Sequence, residues 1–308
     1  MRHLLSTADL TRADVDRIHE LARTFEREGA PRLALAGRIV VNLFYESSTR
    51  TSSSFELAAR GLGADVVSIR AAGSSVDKGE SLADTIRTLG AYGPDAIVIR
   101  HPQVGAAAYA ARHTSAAVVN AGDGAHQHPT QSLLDLYVIR EALGRLEGVR
   151  VAIVGDVLHS RVARSNITAL RACGAEVRLM GPPSLMPRGI EAAGVTVTHD
   201  IGELPWADVV YVLRLQRERM LPGEAFVPSL AEYAARWGVD EHRVRPGQVV
   251  MHPGPMNRGV EITGAVADSP ASLIERQVRA GLFVRMAVLA HLLSPARTAH
   301  ADLVGAGA

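Results

Sequence analysis

Residues 44–56 read Phe-Tyr-Glu-Ser-Ser-Thr-Arg-Thr-Ser-Ser-Ser-Phe-Glu; seven of these thirteen are serine or threonine, and the one cation, Arg50, sits among them. An apolar run, Ile39 to Phe44, precedes the stretch, and Phe55-Glu56-Leu57-Ala58-Ala59 follows it with helical character. The hydroxyls therefore fall where a strand turns into a helix. Unpaired N–H groups and the helix dipole favour an anion at such a point. Serine and threonine add donors, and a guanidinium adds a planar fork matched to phosphate oxygens. Helix capping alone, with Ser53 and Glu56 as a capping box, would need a single hydroxyl. The excess marks Ser48, Thr49, Arg50 and Thr51 as an anion cradle suited to phosphate.

Further groups with chemical potential stand at other strand ends. One apolar run ends in Ile99-Arg100-His101-Pro102, and another leads into Gly122-Asp123-Gly124-Ala125-His126-Gln127-His128-Pro129-Thr130-Gln131. Pro129 opens a helix, where its missing N–H costs nothing. His126 and His128 lack the carboxylate or thiolate support of a metal site. His128, just before a helix, can instead donate to a developing oxyanion, and Gln131, one turn in, can bond an amide. The run Val151 to Gly155 starts like a dinucleotide-binding unit, but the glycine pattern that admits a pyrophosphate does not follow, and no Walker phosphate loop is present. Instead Arg161 stands at a helix start, and Arg214 with Gln216 follows the run Val209–Leu213. Two arginines on separate strand ends suit a ligand with two carboxylates. Arg217, Glu218 and Arg219 read as an exposed charged loop. The segment His252-Pro253-Gly254-Pro255 is a rigid turn that fixes the direction of its carbonyls.

The elements that must position these groups are legible from periodicity. Candidate strands are Ile39–Phe44, Asp65–Ile69, Ala96–Arg100 and Ala117–Asn120, then Val149–Val154, Glu176–Met180, Val195–Thr198, Val209–Leu213 and Gln248–His252. Helical spacing lies between them, and that alternation argues for parallel sheets covered by helices. The strands form a group of four and a group of five, with a helix from about Thr130 to Leu143 between. The expected fold is α/β, with two parallel-sheet domains joined by interdomain helices: residues 1–144 and 145–308. A last helix, about 272–293, shows one apolar face of Ile274, Val278, Leu282, Met286, Leu289 and Leu293 and is expected to pack back towards the first domain.

Composition narrows the function classes. With 308 residues the chain is long enough for two domains. Its 33 lysine and arginine residues nearly balance 32 acidic ones, so charge gives no general reason to expect nucleic acid or an anionic membrane as partner. The single cysteine, Cys173, rules out an internal disulfide or a cysteine metal cluster. The N-terminus lacks the apolar core of a signal peptide, and charged residues interrupt the most apolar stretch, Leu273 to Leu293. A cytoplasmic enzyme is the expectation.

Taken in order from Phe44 to Glu261, these motifs resemble the aspartate/ornithine carbamoyltransferase family. Ser48-Thr49-Arg50-Thr51, Arg100-His101-Pro102, His128-Pro129-Thr130-Gln131 and Arg214-Leu215-Gln216 are jointly specific. The resemblance implies carbamoyl phosphate bound on the first domain and L-aspartate mainly on the second, with neither metal nor organic cofactor. By position, Ser48, Thr49, Arg50, Thr51 and Arg100 hold the phosphate. Thr51, Arg100 and His128 polarise the carbamoyl oxygen, and Gln131 bonds its NH2. Arg161, Arg214 and Gln216 hold the aspartate carboxylates, and the turn at Pro253 and Gly254 offers backbone carbonyls. Ser74 and Lys78 match residues that the family lends to a neighbouring subunit, which implies a homotrimer with shared active sites. Regulatory or dihydroorotase-like partner chains are also known to the family, and no residue here decides for either.

Two departures stand out. Position 254 is Gly where some members have Leu, and Lys78 is the only lysine in a loop where some relatives carry two. The reaction implied, a step of pyrimidine biosynthesis, is attack by the α-amine of aspartate on the carbamoyl carbon, with phosphate leaving and accepting the proton. An ornithine-specific member would carry a His-Cys-Leu-Pro turn at 252–255 and an acid near Arg214. A catalytically inactive scaffold of the same fold would have no need to keep Arg50, Lys78, Arg100, His128 and Arg214 together, and a phosphosugar-binding protein would not need the second-domain arginines.

Overall fold

The computed structural model describes residues 1–70, 79–219 and 226–293. Among them it contains nine β-strands, divided as the periodicity anticipates into a four-stranded and a five-stranded sheet, both parallel. Chain contacts separate the described residues into two compact units: one holds those up to 134 and from 279 to 293, the other those from 135 to 278.

In the first unit β1 (Ile39–Phe44) and β3 (Ala96–His101) are central, with β2 (Asp65–Arg70) and β4 (Ala117–Asp123) outside them, in the order β2-β1-β3-β4. β1, β3 and β4 are buried almost throughout, as near-continuous apolar runs of a sheet covered on both faces should be. Val41, Leu43, Ile97, Ile99 and Val118 pack on one face with Ile86 and Leu89 of α3 (Leu82–Gly90) and Ala107 and Ala110 of α4 (Ala106–Ala111). α2 (Thr49–Gly61) buries Phe55, Ala58 and Ala59, and removing a Phe side chain from water is worth about 3 kcal/mol at most. α1 (Arg12–Glu28) begins with a capping box, in which Thr11 accepts from the Asp14 N–H while Asp14 accepts from the Thr11 N–H.

The second unit has the order β7-β6-β5-β8-β9, from β5 (Arg150–Val154), β6 (Glu176–Met180), β7 (Thr196–Thr198), β8 (Val209–Val212) and β9 (Val249–Met251). Ala152, Val154, Val210, Val212 and Val250 pack against Tyr233 and Trp237 of α7 (Leu230–Trp237) and Val266 and Ala267 of α8 (Gly264–Ala267). The helix α6 (Arg161–Ala172) follows β5, and Ser160 caps it by accepting from Ala163 N–H at 3.1 Å.

Two long helices pass from one unit into the other, α5 (Pro129–Leu143) and α9 (Ile274–Leu293). The expected apolar face of the last helix needs correction. Val278 is 56% exposed, whereas Val284, Ala287, Val288 and Leu289 are fully buried, so burial follows the helix's second half. Ile274, one step before Val278 on the same spacing, is buried in the second unit's core, so the expected face is interrupted at Val278.

Each sheet reverses its strand order once. Chain progression from β1 goes to β2 on one side and β3 on the other, and from β5 to β6 on one side and β8 on the other. Such reversals leave a crevice at the carboxyl ends of the two strands, where ligands of parallel sheets bind.

Candidate functional site

At the first reversal, β1 delivers Ser48 and α2, and β3 delivers Arg100, paired in register with Phe44. Ser48 occupies the N-cap position of α2 but makes no side-chain cap. Its hydroxyl instead accepts from Arg100 Nη1 at 3.2 Å. Arg100 Nε donates to Glu46 Oε2 at 3.0 Å, so the guanidinium is held from two sides. The first helical bond of α2 runs from Ser52 N–H to Ser48 O, which leaves the amides of Thr49, Arg50 and Thr51 in the first turn. Thr51 is buried, while Thr49 and Arg50 are exposed. Ser53 and Glu56 lie inside α2, and Glu56 bonds Arg60 and Ser68 and caps nothing. The hydroxyl run thus lies at a helix N-terminus with Arg100 held beside it.

His101, next to Arg100, packs against Tyr45 in a tilted ring contact with centroids 4.4 Å apart and accepts Gln103 N–H at Nδ1. Burial holds it below the ordinary histidine range. The loop from β4 to α5 is organised by one carboxylate. Asp123 Oδ1 accepts from Asn120 Nδ2 at 2.9 Å and Gln127 N–H at 3.0 Å; Oδ2 accepts from Gly105 N–H at 2.7 Å and lies 3.0 Å from His126 Nδ1. Gly124 in this loop has φ +50, and a Cβ there would lie 2.7 Å from the Pro102 carbonyl oxygen, so only glycine fits. The loop ends at His128, buried, whose carbonyl accepts from Gln131 and Ser132 as α5 begins. Gln131 is buried as well. Among the described residues no group of three or more His, Cys, Asp or Glu comes together as a metal cage.

At the second reversal a buried carboxylate again does the organising. Asp156, directly after β5, accepts His159 N–H at Oδ1 and Gln216 N–H at Oδ2, at 3.1 and 3.0 Å. It thereby ties the loop that leads into α6 to the loop carrying Arg214 and Gln216. Gly155 beside it has φ +118, and a Cβ would meet Leu213 O at 2.7 Å. Arg161 is buried at the first position of α6. Arg214 is held by Glu218: Nη1 donates to Oε2 at 2.9 Å and Nη2 to Oε1, while Nη1 also reaches the Leu215 carbonyl. That pair raises the Arg214 pKa, chiefly through the hydrogen bond, with smaller contributions from the charges of Glu218, Glu261 and Asp156, and it lowers that of Glu218.

The charged loop after β8 is accordingly more than a solvated one. Arg217 and Glu218 are exposed, as expected, but Glu218 orients Arg214 and Arg219 donates to the His159 carbonyl at 2.7 Å. Glu46, Asp123 and Asp156 were not singled out by sequence reasoning, and Glu218 was read only as part of an exposed charged loop. The spacing of four between Arg214 and Glu218 was the one readable signal. Ser74 and Lys78 lie outside the described residues. Pro253 and Gly254 form the turn after β9, with Gly254 at φ +63.

Glu218→Gln should raise the KM for an anionic second-unit substrate by about fivefold, since a half-exposed pair is worth no more than about 1 kcal/mol. The lowered Glu218 pKa means that pairing is complete above the ordinary glutamate range and is lost as pH falls through the lowered value. Assays near neutrality therefore compare paired with unpaired Arg214, and the two enzymes should converge only in acid.

The fold is a two-unit α/β protein in which Ser48 and Arg100 meet at the strand ends of one parallel sheet and Arg161, Arg214 and Gln216 stand at the strand ends of the other. Residues 2–141 match the family model for the carbamoyl-P binding domain of aspartate/ornithine carbamoyltransferases, and residues 147–292 match that for the Asp/Orn binding domain. The chain belongs to that family. It is 55% identical over 299 residues to the aspartate carbamoyltransferase catalytic subunit of Beijerinckia indica, covering 94% of this chain and 93% of the relative. A Trypanosoma cruzi aspartate transcarbamoylase in complex with carbamoyl phosphate and aspartate superposes with a TM-score of 0.86 at 36% identity, covering 95% of this chain and 97% of that one. The same enzyme with N-(phosphonacetyl)-L-aspartic acid gives a TM-score of 0.85 at 36% identity, with 95% and 96% covered.

Proposed function

We propose that this chain transfers the carbamoyl group of carbamoyl phosphate to the α-amine of L-aspartate, giving N-carbamoyl-L-aspartate and phosphate. The observation that carries the reading is the pairing of a locked Arg100–Ser48 cradle in one unit with Arg214 and Gln216 in the other. An ornithine side chain would need an acid where this chain offers a cation and an amide, and Glu218, the nearby acid, is already engaged with Arg214. A colour assay for carbamoyl-aspartate or citrulline, with aspartate and ornithine side by side, tests it: turnover of aspartate alone is expected, and turnover of ornithine would overturn it.

Residues 1–144 bind carbamoyl phosphate through Ser48, Thr49, Arg50, Thr51 and Arg100. Thr51, Arg100 and His128 stabilise the carbamoyl oxygen as charge develops, and Gln131 bonds the carbamoyl NH2. Residues 145–308 hold aspartate through Arg161, Arg214 and Gln216, with the carbonyls of Pro253 and Gly254 accepting N–H groups. No side chain is assigned as base; the departing phosphate takes the amine proton. Catalysis is then orientation plus oxyanion stabilisation, where one lost donor costs roughly 10²–10³ in rate. Ser74 and Lys78 complete the site of a neighbouring copy in a homotrimer, and the enzyme works in the cytoplasm. Among the described residues no helix is long and apolar enough to cross a membrane.

The substrates are held by separate units, so the amine and carbamoyl carbon must be brought together by closure, on a scale of ~μs–ms. The bisubstrate analogue N-(phosphonacetyl)-L-aspartate should therefore bind far more tightly than either substrate and compact the protein. Solution scattering unchanged by saturating analogue would instead indicate a preformed site.

A further inference from the structure

Directly after β9, the buried His252 uses both ring nitrogens. Gly254 N–H donates to Nδ1 at 2.8 Å, and Nε2 lies 3.2 Å from Glu261 Oε1. A ring nitrogen that accepts an N–H presents its lone pair, so the neutral ring carries its proton on Nε2 and donates it to Glu261. The geometry thus fixes the tautomer. Glu261 Oε1 also accepts Asn257 N–H at 2.6 Å, so a single carboxylate oxygen spans the turn from residue 252 to residue 257. Behind the turn, His252 N–H donates to Gln277 Oε1 at 2.9 Å, and Gln277 Nε2 donates to Asp135 Oδ1 of α5 at 2.7 Å.

The closure from His252 to Gly254 spans two residues, as in an Asx turn, with an imidazole in place of the carboxamide. Gly254 adopts φ +63, a conformation that side chains rarely take. Two flanking prolines stiffen the backbone, but proline fixes only its own φ; the orientation of the peptide planes between them is set by the hydrogen bond to Nδ1. Glu261 Oε2 is buried without a hydrogen-bond partner, a costly arrangement if the group served stability alone.

We propose that His252 and Glu261 are positioning residues: the imidazole, held by the carboxylate, aims the Pro253 and Gly254 carbonyls at the N–H groups of the reacting amine. This rests on the carbamoyl-transfer reading above. The phosphate cradle belongs to the other unit, so the device acts on the reacting amine while leaving phosphate binding alone.

Two replacements separate the two bonds. Asn at 252 keeps an acceptor where Nδ1 stands and forgoes Glu261; Gln keeps a donor towards Glu261 and vacates the Nδ1 position. In the full-length enzyme, His252→Gln should lower kcat by roughly 10²-fold, the cost of misaligning reacting groups by about 1 Å, with the Kd for inorganic phosphate within about twofold of wild type. His252→Asn should retain at least roughly tenfold more kcat than His252→Gln, because an Asx turn re-forms. The wild-type ¹⁵N spectrum should show His252 with Nδ1 unprotonated and Nε2 protonated, and the Gly254 amide should be protected from exchange. The opposite tautomer, or a rapidly exchanging Gly254 amide, overturns the proposal without any variant having to fold. A folded His252→Gln enzyme with near wild-type kcat, or one whose phosphate affinity falls as far as its kcat, overturns it too. Wild-type protein that forms no carbamoyl-aspartate but shows the expected tautomer would overturn the reaction assignment and leave the turn geometry standing.

Discussion

Lys78→Ala and Arg50→Ala chains, each nearly inactive alone, should regain activity when dissociated, mixed and reassembled. The expectation follows from a ring in which each copy lends Lys78 to the next copy's site while keeping Arg50 for its own. A head-to-tail contact repeated three times closes such a ring. Any trimer containing both variants then has one site with an intact Arg50 and an intact neighbouring Lys78. Equal mixing should restore about a quarter of wild-type activity, because roughly three-quarters of random trimers are mixed and one site in three works. Subunit exchange is verified separately by labelled chains. No recovery despite proven exchange would mean that Lys78 serves its own chain or none.

Arg214→Ala and Arg161→Ala should cripple aspartate use while sparing carbamoyl phosphate binding, and Arg50→Ala should do the reverse. A charged hydrogen bond contributes about 1.5–3 kcal/mol, so each loss amounts to roughly 10- to 150-fold in affinity. For Arg50→Ala the loss falls on the exposed cation at the start of α2, where the helix amides and Arg100 remain but the charge that outweighs Glu46 does not. Calorimetry with phosphate, and kinetics with varied aspartate, read the two sides independently. Equal losses for both substrates in any of the three variants would contradict the division of labour.

Much of this was open to view in the chain. Alternation of β-branched runs with helical spacing gave the α/β class and the four-plus-five grouping, because strand and helix periods differ sharply and each motif sits where one period gives way to the other. The hydroxyl run around Arg50 could be read as a cradle because capping needs only one such residue. The last helix was misread at Val278, where an apolar side chain on a fixed spacing proved to be exposed. The acids that hold the site were missed for a different reason. Glu46 and Arg100 are 54 residues apart, and Asp156 and Gln216 are 60 apart. No local pattern reports a pairing of that separation.

By itself the sequence determined the elements and the residue types at their ends, since turn chemistry, capping and apolar period are local properties of the chain. Only the tertiary structure decided which ends meet. Strand order places β1 beside β3 and β5 beside β8, so Arg100 is bound to Ser48 and Glu46, and the Gln216 loop to Asp156. Those choices depend on which strands pair and on which buried carboxylates find donors, and both are settled by burial of the whole sheet.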